Sequence, residues 1–186
     1  MTRQRLKNLA IFLAILLFIA GWTVLLYFYS PSEVIDWLGV TNSYFVAFFI
    51  SVLGAIASIT PFSTYPAVYT MAAGGVNPIG LVALAAVGLT IGDLIFVYFG
   101  ISARKALPEK FQKFVERLLR WLTSKSTRFI QAFVFIWVGF LPLANNLISA
   151  PLAITGFPVK KLLLPLLLGN MMFPTLAATA GIYGFI

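Results

Sequence analysis

The sequence predicts an all-α integral membrane protein. Its plan is an inverted repeat of a re-entrant helical hairpin plus transmembrane helix, with an N-terminal transmembrane helix and a cytoplasmic amphipathic helix. Three observations predict it. Of 186 residues, 61% are apolar and only 10% charged, where a soluble domain has about a quarter charged; mean hydropathy is +0.99. The few charges fall in clusters separated by apolar runs long enough to enter or cross a bilayer. A proline–glycine pattern also recurs at a fixed offset. The length fits one membrane domain, residues 1–186.

Leu9 to Tyr29 is an uncharged run of 21 residues behind Arg3, Arg5 and Lys7, about the length that crosses a hydrocarbon core. It is too long for a typical signal-peptide apolar region and lacks a small-x-small exit, which favours an uncleaved helix. Basic residues stay on the cytoplasmic side, so the N-terminus is expected inside a plasma membrane. The Ser30–Thr41 loop, with Glu33 and Asp36 as its only charges, is expected outside. Trp22, Tyr27, Tyr29 and Trp37 then read as interfacial anchors, and Trp121 likewise on the inner side.

Residues 37 to 92 carry no charge, 56 in a row. The chain must travel from outside near Asp36 to inside near Arg104. Val76 to Ser102 supplies one span, which leaves Tyr44 to Gly75 as a hairpin broken around Pro61 and Pro66; 44–102 is thus hairpin plus span. Three full crossings also fit by length.

Arg104 to Arg128 holds eight basic and two acidic residues. Phe111, Phe114, Val115, Leu118, Leu119 and Leu122 recur at helical spacing, with Lys110, Lys113, Arg117 and Arg120 on the other side. Residues 104–127 therefore read as an amphipathic connector on the inner leaflet. Its expected partners are membrane lipids with anionic headgroups rather than nucleic acid. A homo-oligomer is compatible with this layout.

Phe129 to Val159 is 31 uncharged residues between two basic sites. Two full crossings need about 40, so the run predicts a second hairpin, with bends at Pro142 and Pro151. Residues after Lys161 form a last span, and 128–186 is hairpin plus span again. Pro61, Gly75 and Gly88 have the same spacing as Pro142, Gly156 and Gly169, offset by 81. Ser63, Thr64 and Tyr65 then align with Ala144, Asn145 and Asn146, a polar cluster after each bend proline. Copies entering from opposite faces are the inverted-repeat plan of many transporters.

Thr60 to Pro66, Ala73-Gly74-Gly75, and Gly92-Asp93 followed by Tyr98 and Gly100 resemble the DedA family, which shares the VTT (SNARE-associated) domain. Gly139-Phe140-Leu141-Pro142 and Ala153 to Phe157 resemble its second motif block. Leu118-Leu119-Arg120 and Lys125-Ser126 are similar to the small multidrug export family. The resemblance covers roughly residues 40 to 185. It implies a transporter of lipid or lipid-phosphate headgroups, or alternatively an exporter of cationic amphiphiles. It does not extend to the family's acidic residue after the first proline block, nor to its arginines around the second; Gly139 and Asn145 stand nearest those positions.

Asp93 is the one ionisable residue, tyrosines aside, deep in an expected span, and such a residue defaults to a functional hypothesis. A capped, structural Asp is the alternative. Asn145 and Asn146 read either as ligands for a phosphate or headgroup or as groups that satisfy backbone freed at the bend. Ser63, Thr64 and Tyr65 have the same two readings. Gly75, Gly88, Gly92, Gly156 and Gly169 are expected helix-packing positions. The absence of Cys and His excludes a His-based triad, zinc sites of the usual ligands and disulfides. One membrane carboxylate makes no aspartyl dyad, and there is no P-loop. Neither an enzyme nor a cofactor or metal is expected, and a non-transporting scaffold is the remaining class.

Overall fold

The computed structural model describes residues 17, 21, 24, 28, 29, 31–57, 60–103, 117, 120, 121, 124–141, 145, 148, 152 and 157–184. Most of the first span and of the 104–127 connector lie outside these residues, as do Pro142, Asn146, Pro151 and Gly156. Among the described residues the chain is all helical: α1 (Pro31–Leu38), α2 (Val40–Ala57), α3 (Thr60–Ala73), α4 (Pro78–Ala103), α5 (Thr127–Phe140) and α6 (Val159–Tyr183).

Among the described residues, two helices are long and apolar enough to cross a membrane, α4 over Pro78–Ile95 and α6 over Val159–Tyr183, with mean hydropathies of 2.0 and 1.6. A third span arises if α1 and α2, bent by 96° at their junction, count as one. The segment expected as an outer loop is thus largely helical. Pro31 opens α1, where its missing N–H has no partner to lose. Glu33 sits in the first turn, favoured by the helix dipole, and Ile35 is buried. Gly39, at φ +84°, ends the helix and turns the chain into α2.

Pro61 occupies the first turn of α3. Pro66 lies inside α3, which continues past it. Gly75 was expected as a packing glycine, and the structure corrects this: a Cβ there would meet nothing within 4 Å. Its φ of +88° instead terminates α3. The Val76 N–H reaches the Met71 carbonyl at 3.1 Å and the Gly75 N–H reaches Ala72 at 3.1 Å. That is the paired bonding of a Schellman cap, and Val76 and Met71 share the adjoining core. Two residues on, Asn77 Oδ1 accepts the Ile79 N–H at 2.9 Å and caps α4.

Gly88 and Gly92 bring α4 onto α2. A Cβ on Gly88 would lie 2.6 Å from the Phe48 carbonyl oxygen, and one on Gly92 2.5 Å from Ala55 Cβ. Gly169 plays the same part for α6 against α5, where its Cβ would fall 2.9 Å from Val138. Pro165 in α6 offers no N–H to the Lys161 carbonyl. Gln131 Nε2 on α5 supplies the donor at 2.9 Å. Isolated hydroxyls on these apolar helices bond back one turn, as Ser51 does to Ala47 at 2.6 Å and Thr175 to Met171 at 2.6 Å.

The apolar interior has two clusters. One joins α1, α2, α3, the first turns of α4 and the end of α6, around Val68, Leu81, Ala85 and Ala178. The other joins α5, the first half of α6, Leu152 and the far part of α4, around Val134, Leu162, Leu166 and Leu94. Early α4 thus shares a cluster with late α6, and Leu94 shares one with early α6. The two long helices therefore run antiparallel, with a polar site where the clusters meet.

Candidate functional site

Thr90 and Asp93 stand three residues apart on α4, so both project from one face. That face meets α6 at Asn170, and all three are buried, Asp93 to 1% exposure. The same helix turns its Val87 and Ile91 face outward, so the carboxylate lies on the inward side of α4. A carboxylate so placed needs bonded partners.

Asn145 and Asn170 supply them. Asp93 Oδ2 accepts from Asn170 Nδ2 at 2.9 Å and from Asn145 Nδ2 at 3.0 Å. The second hydrogen of Asn145 Nδ2 goes to Asn170 Oδ1 at 2.9 Å. The second hydrogen of Asn170 Nδ2 goes to Thr90 Oγ1 at 3.2 Å, and Thr90 donates to the Ala86 carbonyl at 2.7 Å. Both amide NH2 groups are thereby fully used, in a closed ring of three side chains. No basic side chain pairs with Asp93 among the described residues.

Of the residues singled out from sequence, the structure brings Asn145 to Asp93. Tyr65 lies within electrostatic reach of the same carboxylate and stacks on Phe173 of α6, with ring centroids 5.4 Å apart. Ser63 and Thr64 face α2 instead, where a Cβ on Gly54 would meet both hydroxyls. Thr64 Oγ1 is buried without a hydrogen-bond partner. Asn170 was not among the expected site residues. Its signal is a lone amide within 25 uncharged residues, four positions ahead of Pro174.

Pro174, one turn beyond Asn170, has no N–H to give the Asn170 carbonyl and is fully buried. The site joins one carboxylate, two amides and a hydroxyl, a set suited to a positive charge or a polar headgroup. No group of three or more His, Cys, Asp or Glu side chains that could hold a metal ion occurs among the described residues. The class defined by fold and site is an all-helical protein with membrane-compatible helices and one buried carboxylate between them. No protein-family model, no curated protein and no solved structure matches the chain.

Proposed function

We propose that the protein is an integral membrane transporter that moves a lipid or lipid-phosphate headgroup across the plasma membrane, with the Asp93 cluster as the site the headgroup engages. One observation carries this reading. A carboxylate 1% exposed, inside a helix apolar enough to span a membrane, is held by amides from two segments far along the chain. Such a group costs about 2.5–3.5 kcal/mol at a helix centre on insertion scales, and its retention marks function.

In this proposal the halves are inverted. α2 and α3 form a hairpin entered from outside ahead of α4, and α5 with the residues after it forms one entered from inside ahead of α6. The lengths support it: α3 and α5 have 14 residues each, a rise of about 21 Å against a core of about 30 Å. So do the antiparallel α4 and α6, the 81-residue offset and the resemblance to DedA proteins. The N-terminus and residues 104–128 face the cytoplasm, the latter against anionic headgroups.

Purified chain in vesicles should speed the transbilayer movement of a fluorescent phospholipid or polyprenyl phosphate. Folded protein with no acceleration over protein-free vesicles overturns the proposal. A second reading, export of cationic amphiphiles, is favoured by the sign of the site, which is negative and lacks a basic partner among the described residues. Asp93→Asn should then end amphiphile-driven proton flux, and unchanged flux removes that reading.

A further inference from the structure

The Asp93 ring gathers a carboxylate, two amides and a hydroxyl within hydrogen-bond distance of one another. Around Asp93 Oδ2 stand the side chains of Asn170, Thr90 and Asn145. A terminal amide turned by 180° about its last torsion keeps its shape and exchanges N–H for C=O. With both amides turned, oxygens replace nitrogens at the 2.9 and 3.0 Å positions on Asp93 Oδ2, and the bond between the two amides reverses direction. The carboxylate would then sit among oxygen acceptors alone, an arrangement stable only with a cation at its centre.

We propose that Asp93, Asn145, Asn170 and Thr90 form a site for one small monovalent cation, sodium. One carboxylate neutralises one positive charge, so a divalent ion would leave a net charge buried between apolar clusters, and divalent sites of this hard type gather more oxygens, often several carboxylates. A bare proton needs a single acceptor and gives the convergent hydroxyl and amide oxygens no task. The close spacing of the polar atoms suits a small ion. Without sodium, the four amide hydrogens occupy the carboxylate, the hydroxyl and each other, as the hydrogen bonds show. With sodium, those hydrogens turn away from Asp93, one of them bridging the two amides and the others directed toward a phosphate headgroup. The ion site stands on side-chain geometry; its coupling to a headgroup rests on the transporter reading above.

The test uses the purified full chain in detergent at fixed pH. Radiolabelled sodium in equilibrium dialysis should bind saturably, one ion per chain. Melting followed by tryptophan fluorescence should shift upward with sodium chloride but not with choline chloride at equal ionic strength, as ligand binding to the folded state requires. Asp93→Asn should abolish both effects. Thr90→Val should weaken sodium binding about tenfold and Thr90→Ser should retain it, which keeps the test decisive if Asp93→Asn does not fold. Identical melting in the two salts by folded wild-type protein overturns the site, as does sodium binding that survives Asp93→Asn. Sodium binding without lipid movement would overturn the transporter reading and leave the ion site standing; lipid movement without sodium binding would do the reverse.

Discussion

Gly92→Ala tests whether close approach of α2 and α4 holds the site in place. The new Cβ would lie 2.5 Å from Ala55 Cβ, 2.9 Å from the Val52 carbonyl oxygen and 3.4 Å from the Ile56 amide nitrogen. Carbon atoms pack best at about 3.5–4.0 Å, so the nearest contact is short by about 1 Å. All three neighbours are backbone or Cβ atoms and none can swing aside, so the helices must part. Overpacking of this kind costs about 1–3 kcal/mol. The shift also falls one residue from Asp93. Stability of the purified protein in bicelles, followed by tryptophan fluorescence, should drop by that amount. Ala55→Gly removes the nearest atom, so the double variant should be more stable than the sum of the single effects by about 1 kcal/mol. Wild-type stability in Gly92→Ala, or additive effects in the double variant, would refute the packing argument.

Three further outcomes follow from the same geometry. Asn170→Leu keeps the volume but removes three hydrogen bonds of the ring; stability should fall by about 2–3 kcal/mol, and, on the proposed transporter reading, lipid movement in vesicles should stop. Gly75→Ala meets no neighbour and should lose only the left-handed backbone preference, about 1 kcal/mol, with Gly75→Asn costing less in the same melting assay. Gln131→Leu withdraws the donor from the Lys161 carbonyl at an exposed position, where water takes its place, so the loss should stay within about 0.5–1 kcal/mol.

The long helices were legible because charge is scarce and its absence is easy to read: α4 carries a single charge, Asp93, and α6 carries only Lys160 and Lys161 at its start. Gly88, Gly92 and Gly169 were legible as packing positions, since only a missing side chain allows such approach. Gly75 looked the same in sequence, yet its role comes from a backbone angle that residue type alone does not separate from packing. Pro66 reads as a break, but a helix packed on its neighbours absorbs one lost hydrogen bond. At the site, Asp93 stood out by charge and Asn145 by following a bend proline. Asn170 did not, because an amide carries no charge and its partner lies 77 residues earlier. Only antiparallel packing of α4 on α6 makes that pair adjacent.

The order in which the ring's members are synthesised has a consequence for biogenesis. Asp93 precedes Asn145 by 52 residues and Asn170 by 77. At about 5–20 residues per second, α4 exists for about 4–15 s before its last partner is made. Through that interval the apolar remainder of α4 must hold an unmatched carboxylate in or near the bilayer, against an insertion penalty of about 2.5–3.5 kcal/mol. On the proposed membrane reading the ring is a late latch on biogenesis, closing only when α6 arrives. Nascent chains truncated before Asn170 should leave α4 open to extraction by alkali, and full-length chains should not.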